Sequence, residues 1–345
     1  MKRMKAAVLY GREEVRVEEV AVPAIDKGDV LVRVRAALTC GTDVKVFRRG
    51  YHAKMIVPPA LFGHELAGDI VKVGSHVESF RPGQRVVAAN SAPCLNCFYC
   101  RKGLENLCED LLFNNGAYAE YIRIPARIVQ RNMYEIPPHL SYQDAALIEP
   151  LACVLKGLEE TDVRPGDNVV VIGQGPIGLM FVRLAKVYGA RVIALGRRQS
   201  QLDRALRMGA HDALINSDPD TVVREVKSLT GGYGADAVIE AVGNPDTWEL
   251  AVRLLRRGGT AQFFGGCPSD TRITLETQLL HYSEIKCVAS FHHTPAYIRK
   301  ALDVVSRGDI SSRDFVNREE PLSNLLDVLR HLMSHNGHMK TAIIP

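Results

Sequence analysis

The rhythm of hydrophobic and polar positions changes once along the chain. From Met4 to about Ile124, short apolar or alternating runs are broken by Gly, Pro and Asp: 6–9, 30–36, 65–73, 85–88 and 118–124. Such runs between turn formers predict strands, and their close succession predicts a compact all-β unit. Near Asn168 apolar runs begin to alternate with helical stretches: 169–172, then 177–188, 192–195 and 200–208. That alternation predicts a parallel sheet with crossover helices. Further strands are expected at 237–240, 260–264 and 285–289, with a helical pattern at about 246–257. Beyond Thr294, helix-like segments at 295–306 and 322–334 lead to a last strand at 341–344.

Length and composition narrow this picture. A chain of 345 residues, 46 % hydrophobic, is long enough for two domains with a core in each. The net charge of +4 is spread over 43 basic and 39 acidic residues without a block of one sign, which argues against nucleic-acid or membrane partners. The first ten residues lack an apolar stretch of signal-peptide type, and no segment has the apolar length of a membrane span. A soluble, cytoplasmic protein is the expectation. Eight cysteines are too few for a disulfide scaffold of this size, and four of them fall within fifteen positions, which favours a metal site in a reducing compartment.

Those four are Cys94, Cys97, Cys100 and Cys108, spaced C-x2-C-x2-C-x7-C. One short lobe with this spacing can wrap four thiolates around a tetrahedral Zn2+, and four protein ligands leave no open position, so the site is structural. An iron–sulfur cluster is the competing occupant, because ferredoxin-type spacings overlap with this one. Cys153, Cys267 and Cys287 lie among apolar residues and are expected to be small buried side chains. A second motif is Gly173, Gly175 and Gly178 in G-x-G-x-x-G. It follows an apolar run and opens, through Pro176 and Ile177, a helix with an apolar face of Ile177, Leu179, Met180, Leu184 and Val187. Glycines there let backbone amides approach a pyrophosphate at the positive end of the helix; the competing reading is a tight turn without a ligand.

After the next strand an NAD site calls for an acid, to accept hydrogen bonds from the ribose hydroxyls. This chain has Gly196 followed by Arg197 and Arg198. Two cations before a helix start face an unfavourable dipole unless an anion compensates them, and the 2′-phosphate of NADP is such an anion. Two solvated arginines are the alternative. Finally, Cys40 in Cys-Gly-Thr-Asp, His64 in Gly-His-Glu and Glu149 in Glu-Pro each have an ordinary structural reading when taken singly.

Taken in order, Cys-Gly-Thr-Asp, Gly-His-Glu, the four-cysteine lobe, Ile-Glu-Pro-Leu and G-x-G-x-x-G resemble the zinc-containing medium-chain dehydrogenases, above all the sorbitol and threonine dehydrogenase branch. The resemblance covers nearly the whole chain. It implies a GroES-like β-rich catalytic domain (residues 1–152 and 295–345, with the zinc lobe at about 90–112) and a Rossmann domain, a doubly wound parallel sheet, at 153–294. It further implies two Zn2+ per chain. Cys40, His64 and Glu149 would hold the catalytic ion, and Glu65 would ligate it or stand just behind. Three protein ligands leave a position where an alcohol loses its proton readily before hydride passes to the nicotinamide. Thr42 matches the hydroxyl that begins the proton relay, and Asp43 the carboxylate that orients the ligand histidine.

Two positions depart from the pattern. Lys45 stands where relatives carry a relay histidine, and lysine stays protonated near neutral pH unless its surroundings lower its pKa, so a contact to cofactor phosphate or ribose is the alternative. Gly196-Arg197-Arg198 stands where the branch usually has an acid and uses NAD. The expected activity is hydride transfer between NADP(H) and an alcohol or ketone: a polyol, cyclitol, amino alcohol or secondary alcohol. The alternatives are the same chemistry with NAD(H), dismutation of aldehydes on a tightly held cofactor, and a non-enzymatic NADPH-binding sensor. The resemblance places the substrate near residues 290–294, where His292 and His293 either reach a hydroxyl or are solvated, and implies a homotetramer or dimer through Rossmann-domain edges.

Overall fold

The computed structural model describes residues 2–52, 55–334 and 339–345. The chain divides into two compact units, one of residues 1–152 with 293–345, the other of residues 153–292.

The first unit is built mainly on antiparallel pairing, with Val316–Pro321 and Lys340–Ile344 pairing in parallel. Its main sheet runs Met133–Glu135, Arg85–Ala88, Glu65–Val73, Val30–Leu38, Lys340–Ile344 and Val316–Pro321, with Tyr121–Ile124 also pairing Val30–Leu38. The central strand is buried at Val30, Val32 and Val34 and exposed at Arg33 and Arg35, the alternation of a sheet with one covered face. Strands Glu14–Ala21, Arg3–Gly11 and Ala60–Leu61 form a second sheet, and Ser91–Ala92 pairs with Leu112–Phe113 at the base of the four-cysteine lobe. The last strand reaches from the C-terminal segment into the N-terminal sheet, pairing Ala342 with Leu38 and Ile343 with Ala37. An all-β unit was expected here, but helices interrupt it, beginning with Gly41–Arg49. That helix starts because Asp43 accepts from the Cys40 amide while the Cys40 sulfur accepts from the Thr42 amide. The strand expected over 118–124 is regular only from Tyr121, since Ala119 makes an isolated bridge to Ala6.

The second unit holds six parallel strands in the order Asp212–Ile215, Arg191–Gly196, Asn168–Ile172, Ala235–Glu240, Leu255–Phe263 and Lys286–Ala289. In chain order this is 3-2-1-4-5-6, the doubly wound dinucleotide-binding arrangement, whose strand order reverses between Asn168–Ile172 and Ala235–Glu240. Val169 to Ile172 are all buried, as a strand covered on both faces requires. The helix expected to reach residue 257 ends at Arg253, and Leu255 pairs with Ala235 to open the next strand. Helix Pro176–Val187 buries Phe181 and Val182 besides Leu179, Met180 and Leu184, whereas Val187 is exposed. Cys287 is exposed rather than buried, because Lys286–Ala289 is the last strand of the sheet; Cys153 and Cys267 are half-buried.

Candidate functional site

In the four-cysteine lobe the ligand atoms of Cys94, Cys97, Cys100 and Cys108 all lie within 4.8 Å of one another. The Cys94 and Cys100 sulfurs are 4.0 Å apart and those of Cys97 and Cys108 3.9 Å. Four thiolates at about 2.3 Å from one tetrahedral ion are separated by about 3.8 Å, close to these two separations, so the donor set fits zinc. Backbone amides stabilise the thiolates. The Cys94 sulfur accepts from Asn96 and Cys97 N–H, and the Cys108 sulfur from Cys94 N–H. Backbone hydrogen bonding, from Cys100 first, brings the Cys97 thiol down to about 6, while burial pushes Cys100 up to about 12.

The second cluster is assembled from distant segments. Cys40 caps helix Gly41–Arg49, and His64 and Glu65 stand at the start of strand Glu65–Val73; their ligand atoms lie within 4.8 Å of one another. His64 Nδ1 lies 3.0 Å from Asp43 Oδ1, and Asp43 Oδ2 accepts from Tyr118 Oη at 2.6 Å and from Cys40 N–H at 3.0 Å. Burial works to lower the His64 pKa, but the Asp43 charge and hydrogen bond prevail and raise it well above the usual value. Both Glu65 oxygens sit 2.7 Å from Lys340 Nζ, which also donates to the Thr39 carbonyl. Glu149, in the first turn of helix Ile148–Glu160, is buried, and burial lifts its carboxyl to about 7. It lies 3.7 Å from His293 Nε2, and His293 also bonds the Asn90 carboxamide oxygen at 3.1 Å. His293 is thus a buried, bonded side chain, not a solvated one. Thr42 is half-buried on the same helix as Lys45, which is exposed.

In the other unit the glycine-rich loop leads from strand Asn168–Ile172 into helix Pro176–Val187. Gly173 has φ 96°, a conformation that favours glycine, and a Cβ on Gly178 would lie 1.7 Å from the Gly173 oxygen. A Cβ on Gly175 would meet nothing within 4 Å, so the loop faces open space there. Gly173 and Gly175, with Gly196, Arg197, Asn216, Val242 and Asp246, line a cleft of about 560 Å³, of which Gly178 is not part. A glycine loop opening on a helix N-terminus beside free volume fits a dinucleotide pyrophosphate. Arg197 lines this cleft, whereas Arg198 is the exposed N-cap residue of helix Gln199–Arg207 and is not part of the lining. Glu240 accepts from the amides of Val242 and Gly243 and from the Thr247 hydroxyl, fixing the loop where the strand order reverses.

Lys340, Tyr118, Asn90 and Glu240 were not singled out from the sequence. Each acts through a partner far along the chain or in a plain loop, and none stands in a recognisable local pattern.

A mainly antiparallel unit with a four-cysteine lobe and a cluster of half-buried Cys40 with buried His64 and Glu65, joined to a parallel dinucleotide-binding unit, defines a zinc-binding dehydrogenase. Residues 26–137 match the alcohol dehydrogenase GroES-like domain, and residues 176–307 match the zinc-binding dehydrogenase family. Sorbitol dehydrogenase of Bacillus subtilis (strain 168) is 33 % identical over 99 % of this chain and 97 % of its own length. L-threonine 3-dehydrogenase of Bacillus licheniformis is 37 % identical over 74 % of each chain. A zinc-binding dehydrogenase from Sinorhizobium meliloti 1021, solved bound to NADP, superposes with a TM-score of 0.91 at 31 % identity over 100 % of both chains. The chain belongs to the zinc-containing medium-chain alcohol and polyol dehydrogenases and is an enzyme of that class. Its fold is GroES-like plus Rossmann. No helix among the described residues is long and apolar enough to cross a membrane.

Proposed function

We propose that the protein oxidises a polyol or related secondary alcohol, or reduces the corresponding ketone, with one catalytic and one structural Zn2+ and with NADP(H) preferred over NAD(H). The observation that carries the reading is Glu149. This buried carboxylate has no lysine or arginine within ion-pair distance among the described residues, whereas Glu65 is neutralised by Lys340 on both oxygens. Burying an uncompensated carboxylate is costly, and a cation beside Cys40 and His64 removes that cost. The ligand atoms of Cys40, His64 and Glu65 lie within 4.8 Å of one another, with Glu149 outside that set; because Lys340 holds both Glu65 oxygens, Glu149 is the carboxylate assigned to the ion beside Cys40 and His64, with Glu65 standing behind. Cys94, Cys97, Cys100 and Cys108 hold the structural ion.

When bound, the zinc supplies Lewis-acid polarisation of the substrate oxygen and the nicotinamide supplies the hydride acceptor. The chain's own residues do the rest. Asp43 holds His64 by Nδ1, which leaves Nε2 as the donor atom, and Tyr118 in turn fixes Asp43. The Thr42 hydroxyl would accept the substrate proton while donating its own to solvent water. Lys45, exposed on the same helix, is then a contact for cofactor phosphate or ribose and not the final proton acceptor.

The amides of the Gly173 to Gly178 loop, which runs through Pro176 and Ile177, bind the pyrophosphate. Arg197 binds the 2′-phosphate, and the helix that follows has no acidic residue in its first turn and no side-chain cap to compete with that anion. The NADP-bound relative supports this choice. The sorbitol, threonine and D-xylulose names of relatives support a hydroxyl-rich substrate. We further infer a homo-oligomer, a tetramer or dimer, formed through the edge strand Lys286–Ala289, where Tyr282, Cys287 and Phe291 are exposed. The thiolate lobe requires a reducing compartment, which favours the cytoplasm.

The test is an initial-rate scan of zinc-replete protein against polyols, cyclitols, threonine and secondary alcohols with NADP+ and NAD+ side by side. Chelator-sensitive turnover with NADP+ is expected. Turnover with NAD+ alone would remove the role given to Arg197 and leave the zinc chemistry standing.

A further inference from the structure

We propose that Gln174 is a cofactor-specificity residue: its buried, tethered side chain crowds the space that a side chain at position 196 would enter, which disfavours the ribose-binding acid of NAD sites in this turn. The inference rests on the NADP reading and deepens it.

Gln174 is the residue between the first two glycines of the loop and is 3 % exposed. Its Nε2 donates to the Val171 carbonyl at 2.7 Å and to the Leu195 carbonyl at 3.3 Å, tying together the C-terminal ends of two adjacent parallel strands. Two facing carbonyls accept only from an N–H, so the orientation of the amide is determined. Its Oε1 is buried and has no hydrogen-bond partner among the described residues. A residue that leaves a buried acceptor unmade is a poor choice for stability alone.

What the side chain does accomplish is visible at Gly196. The Gly196 backbone lies outside the left-handed region, so its conformation admits any residue. The obstacle is space. A Cβ there would lie 3.1 Å from Gln174 Cγ and 3.1 Å from Leu202 Cδ2. Leu202 is 1 % exposed within helix Gln199–Arg207, and Gln174 is tethered to two strands, so neither gives way without loss. An aspartate at 196 would also bring its charge beside the unpartnered Gln174 oxygen. The acid of the cleft lining, Asp246, follows strand Ala235–Glu240, across strand Asn168–Ile172 from Gly196, and does not replace it. Gln174 and Gly196 thus form a coupled pair, with Arg197 left to meet an anion.

The test is a double-mutant cycle of Q174A, G196D and Q174A/G196D. It is read by calorimetric titration with NADP+ and with NAD+ in the absence of substrate, and by thermal unfolding. The wild type is expected to bind NADP+ more tightly than NAD+. G196D alone is expected to lose NADP+ affinity, gain little for NAD+ and melt lower, while the double variant binds NAD+ about tenfold more tightly than G196D, the coupling expected of residues in contact. If G196D alone binds NAD+ as well as the double variant, or if the two substitutions act independently in both readouts, the proposal is overturned. Equal wild-type affinity for the two cofactors would overturn the NADP reading by itself, and the thermal cycle would still decide whether Gln174 excludes a side chain at 196. Should G196D fail to fold, G196A adds the Cβ alone and closes the same cycle in Tm.

Discussion

The two clusters proposed as zinc sites lie in one unit and are built in opposite ways. The thiolate lobe takes its ligands from fifteen consecutive positions, carries its own two-stranded base and stands out from the core, with Phe98, Leu104 and Leu107 exposed around it. The Cys40 cluster draws on residues from position 40 to position 340, and around half-buried Cys40 it buries His64, Asp43, Glu65, Glu149 and Lys340. A local chelate needs little from the rest of the fold. A buried one needs the sheet to be in register and its charges balanced, because each uncompensated charge carries a large desolvation cost. The lobe is therefore expected to govern local stability, and the buried cluster both stability and turnover.

Substitutions separate these roles. The largest effect is expected for H64A: kcat/KM falls by about 10³-fold or more, several kcal/mol of transition-state stabilisation, with far-UV circular dichroism unchanged. Turnover within tenfold of wild type would place the chemistry elsewhere. K340M leaves Glu65 buried without its cation and is expected to cost about 3–5 kcal/mol in denaturant unfolding. A loss below 1 kcal/mol would mean that Glu65 sits protonated or reaches water.

D43N keeps the shape but loses the charge that orients His64, and a fall of about 10–100-fold in zinc affinity or activity is expected. Zinc retention equal to wild type during dialysis against chelator would contradict this. C97S opens the lobe. Limited proteolysis is expected to cut within residues 94–108 and Tm to drop by a few degrees, while kcat/KM of the folded protein stays within about twofold. A collapse of activity in step with lobe opening would break the division of labour. The smallest effect is expected for K45H, whose pH–rate profile should overlay the wild type if Lys45 takes no part in proton transfer. A new inflection near the histidine pKa would put position 45 into the relay.

Local pattern carried much of this molecule. The alternation of Val30 to Ala36, the continuous apolar run of Val169 to Ile172 and the four-cysteine spacing each express a constraint that acts within a few residues. Element ends were less legible. Leu255 to Arg257 suit a helix by pattern and became strand because Ala235 was available to pair with Leu255. Cys40-Gly-Thr-Asp stood out only through the family resemblance and not as a helix start, although Cys40 and Asp43 cap helix Gly41–Arg49.

The sequence by itself determined the order of the motifs, the close spacing of Cys94, Cys97, Cys100 and Cys108 and the glycine loop, since each depends on neighbours in the chain. Tertiary structure alone decided that Lys340 neutralises Glu65 from 275 positions away, that Tyr118 and Asp43 brace His64, and that Gln174 fills the space beside Gly196. These are matters of charge balance and excluded volume between segments that meet only when the sheets close, and no local pattern encodes which distant side chain will arrive.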